Sequence, residues 1–207
     1  MVCLALSMWA KEKSRPETSE PPGPPTTEGI FGFPNEIDGV GVTLASARKL
    51  TRRPALRGIV FDGVLANGTV DINQPGARVR YTFQSAAGHG AQPPREPGTL
   101  PKRITCGKQN VILTKQGLVA EPDLADYPCP ASGVEPLPEP QCSTYEIWKA
   151  ARKRKVPRDQ PAHIEYFRSK AGPAWRFEIP SAPQYKFTLY GDCKREITGA
   201  EAHGSVP

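Results

Sequence analysis

Residues 162–190 read AHIEYFRSKAGPAWRFEIPSAPQYKFTLY, and this stretch decides the fold. Large apolar side chains alternate with polar ones in three short runs, which is the period of a half-buried β-strand. One face is predicted to carry Ile164, Tyr166, Trp175, Phe177, Ile179, Tyr185, Phe187 and Leu189, and the other Glu165, Arg176, Glu178, Lys186 and Thr188. A three-stranded antiparallel meander with one buried face is therefore expected.

A short basic helix is predicted directly before these strands. Residues 143–146 read STYE, which fits a capping box in which Glu146 bonds the amide of the capping serine. Ile147, Trp148 and Ala151 then recur at helical spacing, and Pro157 ends the pattern. The sequence therefore predicts an amphipathic helix packed on the meander.

The same order of elements occurs earlier in the chain, near residues 43–83. Thr43 is the predicted cap of a helix with apolar positions Leu44, Ala47 and Leu50, which Pro54 ends. The following strands are predicted to point Ile59, Phe61 and Val64, and then Val79, Tyr81 and Phe83, into a core.

Two hairpins are predicted in this earlier part. Asn67-Gly68 is the strongest local hairpin signal, because both residues tolerate the positive φ of a type I′ turn. Residues 111–114 and 118–120 read as a second hairpin closed around 115–117.

We therefore expect an α+β fold made of two units, each a helix packed on an antiparallel sheet. The expected organisation is an apolar stub and disordered linker over 1–28, units over 29–120 and 142–195, a Pro-rich acidic joint over 121–141, and a tail over 196–207. The triplets at 47–49 and 151–153 are both Ala-basic-basic, which duplication and convergent patterning explain equally well.

The N-terminus combines a short apolar segment, residues 2–10, with a Pro-, Glu- and Ser-rich linker over 14–28. The apolar segment is about half the length needed to cross a bilayer and has no basic residues before it. It is compatible with the end of an export signal or membrane tether, although the basic residues that follow favour the cytoplasm. A sticky or disordered end is the favoured interpretation of this segment.

Four of the five cysteines, Cys106, Cys129, Cys142 and Cys193, fall in the predicted folded region. Their wide spacing contains no C-x-x-C pair, which favours disulfides over a zinc site, and four cysteines allow three connectivities. Buried free thiols are the alternative. A bridge between Cys142 and Cys193 would join the start of the second helix to the end of the last strand.

The net charge of +6 allows an anionic partner without choosing among nucleic acid, lipid and acidic protein. The basic side chains form a candidate patch near each helix, namely Arg48, Lys49, Arg52 and Arg53, and Lys149, Arg152, Lys153 and Arg154. Cations at a helix C-terminus also complement the helix dipole and solubilise the surface, so a solvated helix end is the competing interpretation.

No catalytic motif is present in the sequence: it contains no nucleophile elbow, HExxH motif, P-loop or dinucleotide fingerprint. Asp62 and Asp71 flank the 67–68 turn and are weak candidates for a carboxylate pair. His89, His163 and His203 are far apart in sequence and are interpreted as solvated or structural histidines. Neither a cofactor nor a catalytic residue is predicted.

A resemblance concerns about the last quarter of the chain. Residues 142–150 (CSTYEIWKA), 162–166 (AHIEY), 175–179 (WRFEI) and Asp192-Cys193 resemble uncharacterised secreted or envelope-associated modules of bacteria. At the level of architecture alone, the paired helix-plus-strands units are similar to PepSY-type domains and to secreted β-lactamase-inhibitor proteins. The resemblance implies an extracytoplasmic location and carries over no catalytic residue.

The leading expectation is a non-catalytic module of the periplasm, cell envelope or secreted fraction that binds a protein or an envelope polymer. A nucleic-acid-binding protein that uses the two basic stretches is the alternative, and it predicts affinity that falls steeply with salt. An enzyme of unknown class comes third.

Overall fold

The computed structural model describes residues 29–85, 106–124 and 135–199. The predicted linker, His89, Cys129 and His203 lie outside these ranges. The described elements are, in chain order, β1 (Gly29–Ile30), β2 (Glu36–Ile37), α1 (Val42–Leu50), β3 (Ala55–Val64), β4 (Val70–Asp71), β5 (Arg78–Gln84), β6 (Lys108–Thr114), β7 (Gly117–Ala120), α2 (Thr144–Lys153), β8 (Ala162–Ser169), β9 (Gly172–Glu178), a 3₁₀ turn (Pro183–Tyr185) and β10 (Phe187–Tyr190).

The strands form one antiparallel sheet in the order β1-β7-β6-β5-β3-β8-β9-β10, with β2 and β4 beside β3. Strands β3 and β8 join the two halves, with Phe61 opposite Ile164 and Ile59 opposite Tyr166. The α+β class is thus confirmed. The organisation into two units is not confirmed, because the strands of both predicted units belong to one sheet with a shared core.

Both helices pack on the same face of this sheet. Leu44 and Ala47 of α1, and Ile147, Trp148 and Ala151 of α2, belong to one buried cluster with the alternating apolar side chains of the strands. The Trp148 ring meets the Phe177 ring edge-on at 5.0 Å. In the described part of the chain, both helices therefore cover one face of the sheet, and no helix covers the opposite face.

The two helices begin differently. Ser143 caps α2, and both bonds of the predicted capping box to Glu146 are present. The predicted cap of α1 is wrong: the helix is capped by Gly41, and the Thr43 hydroxyl is buried and bonded to the carbonyl of Asp38. Glycine occupies this position at a φ of 59°, where other residues are strained.

The hairpin at Asn67-Gly68 is confirmed, but its turn is not type I′. Gly68 has a φ of 84°, whereas Asn67 does not have a positive φ. The Gly68 amide donates to the Leu65 carbonyl and the Leu65 amide to the Thr69 carbonyl. This pattern is a type I turn followed by a glycine bulge, so only one of the two residues needs a positive φ.

A disulfide joins Cys142, just before α2, to Cys193, just after β10, with 6.3 Å between their Cα atoms. It links the start of the helix to the end of the last strand, as the sequence predicts. Neither described helix has the length and hydropathy needed to cross a membrane.

Residues 195–197 fold back against β10. The Ile197 amide donates to the Thr188 carbonyl, and Ile197 is buried with Phe167 and Ala174 on the face that has no helix. This contact also explains why Thr188, predicted to face water, is buried.

Candidate functional site on the open face of the sheet

Among the described residues, no helix covers the face of the sheet opposite α1 and α2; we call it the open face. Strand register places one row of residues straight across it: Val119, Ile112, Arg80, Val60, Glu165 and Arg176. Side chains on directly paired residues point to the same side, so these six are neighbours.

The aliphatic members of this row are Val119, Ile112 and Val60. They are partly exposed and do not belong to the core cluster that the helices cover. The outward face of an antiparallel sheet is ordinarily polar when it meets only water. A row of three aliphatic side chains at this position therefore resembles the uncovered centre of a binding surface.

Arg80 lies in this row between Ile112 and Val60. Its side chain is half-buried and forms no ion pair with any of the described residues. At the other end of the row, Arg176 is bonded to Glu165 at 2.8 Å. Among the described residues, no side-chain acceptor bonds the Arg80 guanidinium, whose five donor hydrogens lie beside apolar surface.

A second row runs parallel to the first, two residues along each strand. It alternates in charge and contains Arg78, Asp62, His163 and Glu178, with Lys186 bonded to the last of these. Asp62 accepts from Arg78 Nε at 2.9 Å and lies 2.7 Å from His163 Nδ1. In this row every charge has an opposite neighbour.

These contacts change the pKa values of the central pair. The hydrogen bond from His163 is the main cause that lowers the pKa of Asp62, with Arg78 adding to it against the effect of burial. The hydrogen bond to Asp62 is likewise the main cause that raises the pKa of His163, with smaller contributions from Glu165 and Glu178. Both pKa shifts favour the charged form of the pair.

A wide depression of about 690 Å³ adjoins this charged row at the end of the sheet. Polar and apolar residues both line it: Asp62, Asn73, Gln74, Arg78, Thr114, Lys115 and Gln116, and Ile72, Pro75, Gly76 and Ala77. In the described residues, no group of three His, Cys, Asp or Glu side chains could hold a metal ion, and His163 makes no hydrogen bond to a serine or cysteine. The ion pairs of the charged row thus fix the positions of its side chains beside the depression.

The carboxylates that flank the turn have separate partners. Asp62 belongs to the charged row, whereas Asp71 accepts from the amide of Asn73 and from the side chain of Gln74. The main-chain bond from Asn73 is the largest cause that lowers the pKa of Asp71. Asp71 is thus engaged in a local turn.

The predicted basic residues lie over different parts of the sheet, since α1 packs against β6 and β7 and α2 against β9. Three arginines are bonded to carboxylates: Arg48 to Glu139 and Arg53 to Asp123, each at 2.6 Å, and Arg154 to Glu196. The Arg152 guanidinium lies 5.1 Å from the centre of the Tyr145 ring. Lys49, Arg52, Lys149 and Lys153 are exposed.

Cys142 and Cys193 are bonded to each other, and Cys106 is also disulfide-bonded. Cys129 lies outside the described residues.

The sequence predicts that Glu165, Arg176 and Glu178 lie on the outward face of the sheet, but it does not predict that they continue into two rows across β3, β5, β6 and β7. The contact between Asp62 and His163 has no local signal, because it depends on β3 lying next to β8. The aliphatic row did have one: the runs Ile59-Val60-Phe61 and Val111-Ile112-Leu113 are apolar without alternation, which indicates apolar side chains on both faces of a strand.

In comparisons with known proteins, no family model matches this chain, and no curated protein or solved structure matches it either.

Proposed function

We propose that the chain is a non-catalytic recognition module that acts outside the reducing cytosol and binds a protein or a cell-envelope polymer through the open face. The observation that carries this proposal is the aliphatic row of Val60, Ile112 and Val119, partly exposed on a sheet face that no described helix covers. Surface of this kind, surrounded by polar side chains, is typical of binding sites.

The size of the open face supports this role. Each strand residue occupies about 3.3 Å along the strand and about 4.8 Å across the sheet, which is about 16 Å² of the face. The eight strands from β1 to β10 along the sheet differ in length from two to ten residues and together cover on the order of 800 Å², which is what one partner contributes to a standard interface. Residues 195–197 cover the end of this face at β8, β9 and β10, where Ile197 is buried with Phe167 and Ala174.

The disulfides support a location outside the reducing cytosol. Cys142 and Cys193 are bonded and Cys106 is disulfide-bonded, and such bridges persist where the environment is oxidising. The periplasm, the cell envelope and the secreted fraction all meet this condition.

Nucleic-acid binding is the weaker proposal. A phosphate backbone is bound by cations that are free to neutralise it, whereas Arg48, Arg53 and Arg154 are already bonded to carboxylates of the same chain. The exposed cations that remain in the two predicted patches, Lys49, Arg52, Lys149 and Lys153, lie on or beside two helices that pack on different parts of the sheet.

Site-specific photo-crosslinking in cells that produce the protein tests the proposal. A photoreactive amino acid replaces Val60 on the open face in one variant and Lys149, exposed on α2, in the matched control. We expect an adduct with an envelope protein or polymer from position 60 and little from position 149. Equal adducts from both positions, or none from position 60, would contradict the proposed function.

The compartment is tested separately by blocking free thiols in intact cells before lysis. Mass mapping should then find the peptides of Cys142 and Cys193 joined to each other. If both thiols carry the blocking reagent instead, the extracytoplasmic location is wrong.

A further inference from the structure

We infer that the partner of the open face is a protein surface on which a carboxylate stands among aliphatic side chains, and that Arg80 binds this carboxylate. This inference rests on the proposed function, because it specifies the partner of the same surface. It follows from the row across the sheet, in which Ile112 and Val60 lie on either side of Arg80.

The first step is the contrast between Arg80 and its neighbours Arg78 and Arg176. Arg78 is bonded to Asp62 and Arg176 to Glu165, so the charges around Arg80 are already neutralised within the chain. Arg80 has no such carboxylate in the described residues. Covering it with an apolar surface would leave a buried charge without a partner, which costs several kcal/mol. A partner that covers the row must therefore bring an anionic group to Arg80.

The shape of the guanidinium carries the second step. Its planar set of donors matches a carboxylate with two parallel hydrogen bonds, and such pairs strengthen when apolar side chains exclude water around them. Ile112 and Val60 are placed to do so. Arginine surrounded by apolar contacts is also a frequent centre of binding energy in protein interfaces.

The aliphatic neighbours distinguish between the two classes of partner. A polyanionic polymer gains affinity from many exposed cations along its length, and it gains nothing from Val119, Ile112 and Val60. A protein surface supplies both aliphatic side chains and single carboxylates. The row thus favours a protein, with the carboxylate as a specific contact inside an apolar one.

Selection from a phage-displayed library of random peptides against the full chain tests this inference. We expect the enriched peptides to share an Asp or Glu flanked by aliphatic residues. Their affinity should fall at least about tenfold in Arg80→Gln and in Ile112→Thr, since each change removes a central contact. Threonine keeps the β-branched shape that a strand favours, and Lys149→Gln on α2 is the matched control.

The outcomes separate the inference from the proposed function. Failure to enrich acidic aliphatic peptides, or enriched peptides that bind all variants equally, overturns the inference. Binding of inorganic polyphosphate that depends on Arg80 while no peptide binds also overturns it, but leaves a polymer-binding module. If neither peptides nor polyphosphate bind and the crosslinking at position 60 also fails, both are wrong. Unchanged thermal unfolding of Arg80→Gln and Ile112→Thr shows that lost binding does not come from lost folding.

Discussion

His163 Nδ1 lies 2.7 Å from Asp62 Oδ1, although the two residues are 101 positions apart in the sequence. The contact exists because β3 and β8 are neighbours with Asp62 opposite His163. It thus connects the N-terminal and C-terminal halves of the sheet by a charged pair on the open face.

This pair predicts how stability depends on pH. The pKa of His163 is raised, so the contribution of its charge is complete below the ordinary imidazole value of 6.5 and is lost as the pH rises through the folded value. The pKa of Asp62 is lowered, so its contribution is present above 3.8 and is lost as the pH falls through its folded value. We expect the pair to stabilise the fold most between these two limits.

The measurement is urea unfolding of the wild-type chain and His163→Gln at several pH values. The free energy of unfolding of the wild type relative to the variant should decrease by about 1 kcal/mol between pH 6 and pH 9, because the pair is partly exposed. A difference that stays constant over this range would show that the imidazole is not held in its charged form.

Most of the helices and strands could be predicted, because the patterns that indicate them involve residues close together in the sequence. The capping box at Ser143 and Glu146 and the alternation of 162–190 involve neighbours in sequence. The single sheet could not be predicted in this way, because the pairing of β3 with β8 joins residues about a hundred positions apart. The charged row depends on that pairing and was missed with it.

The N-terminus of α1 shows a second kind of limit. Threonine is a common cap, and the sequence offered one at Thr43, but its hydroxyl is buried and bonded to the carbonyls of Asp38 and Val40. Local preference assigns this side chain to the helix cap, but in the fold it is buried and bonded to the loop that precedes the helix.

The Cys142–Cys193 disulfide is expected to contribute strongly to stability. It joins residues separated by 51 positions, and the loop-entropy relation gives about 4 kcal/mol for a loop of that length. The double variant Cys142→Ser/Cys193→Ser should therefore lose about 2–4 kcal/mol in urea unfolding. The variant is preferable to a reductant, which would also act on the disulfide of Cys106. An unchanged midpoint and slope would contradict a stabilising bridge.

Trp148 is expected to be the most sensitive position of α2. Its ring is fully buried against Phe177, and its indole Nε1 donates to the Val64 carbonyl at 3.3 Å. Trp148→Ala should cost about 3–5 kcal/mol because it leaves a large cavity, and Trp148→Phe about 1–2 kcal/mol because a hydrogen-bonding partner is lost.

The control for this position is Tyr145 on the same helix, which is 50% exposed. Tyr145→Ala should cost about 1 kcal/mol or less in the same urea measurement. Equal losses for the two alanine variants would mean that α2 does not pack on the sheet through Trp148.

A side chain at Gly68 is expected to lower the stability of the fold for two reasons, the backbone conformation of this residue and its packing. Its φ is 84°, and a Cβ at this position would lie 2.5 Å from the backbone N and Cα of Tyr145. Gly76 has a similar φ of 79° but no atom within 4 Å of such a Cβ, so it is the matched control. Gly76→Ala should cost about 1 kcal/mol from backbone strain alone, and Gly68→Ala more than about 2 kcal/mol because the hairpin must also move away from α2. Urea unfolding of both variants measures the difference, and a Gly68→Ala loss no larger than that of Gly76→Ala would show that the 65–69 turn does not press against the start of α2.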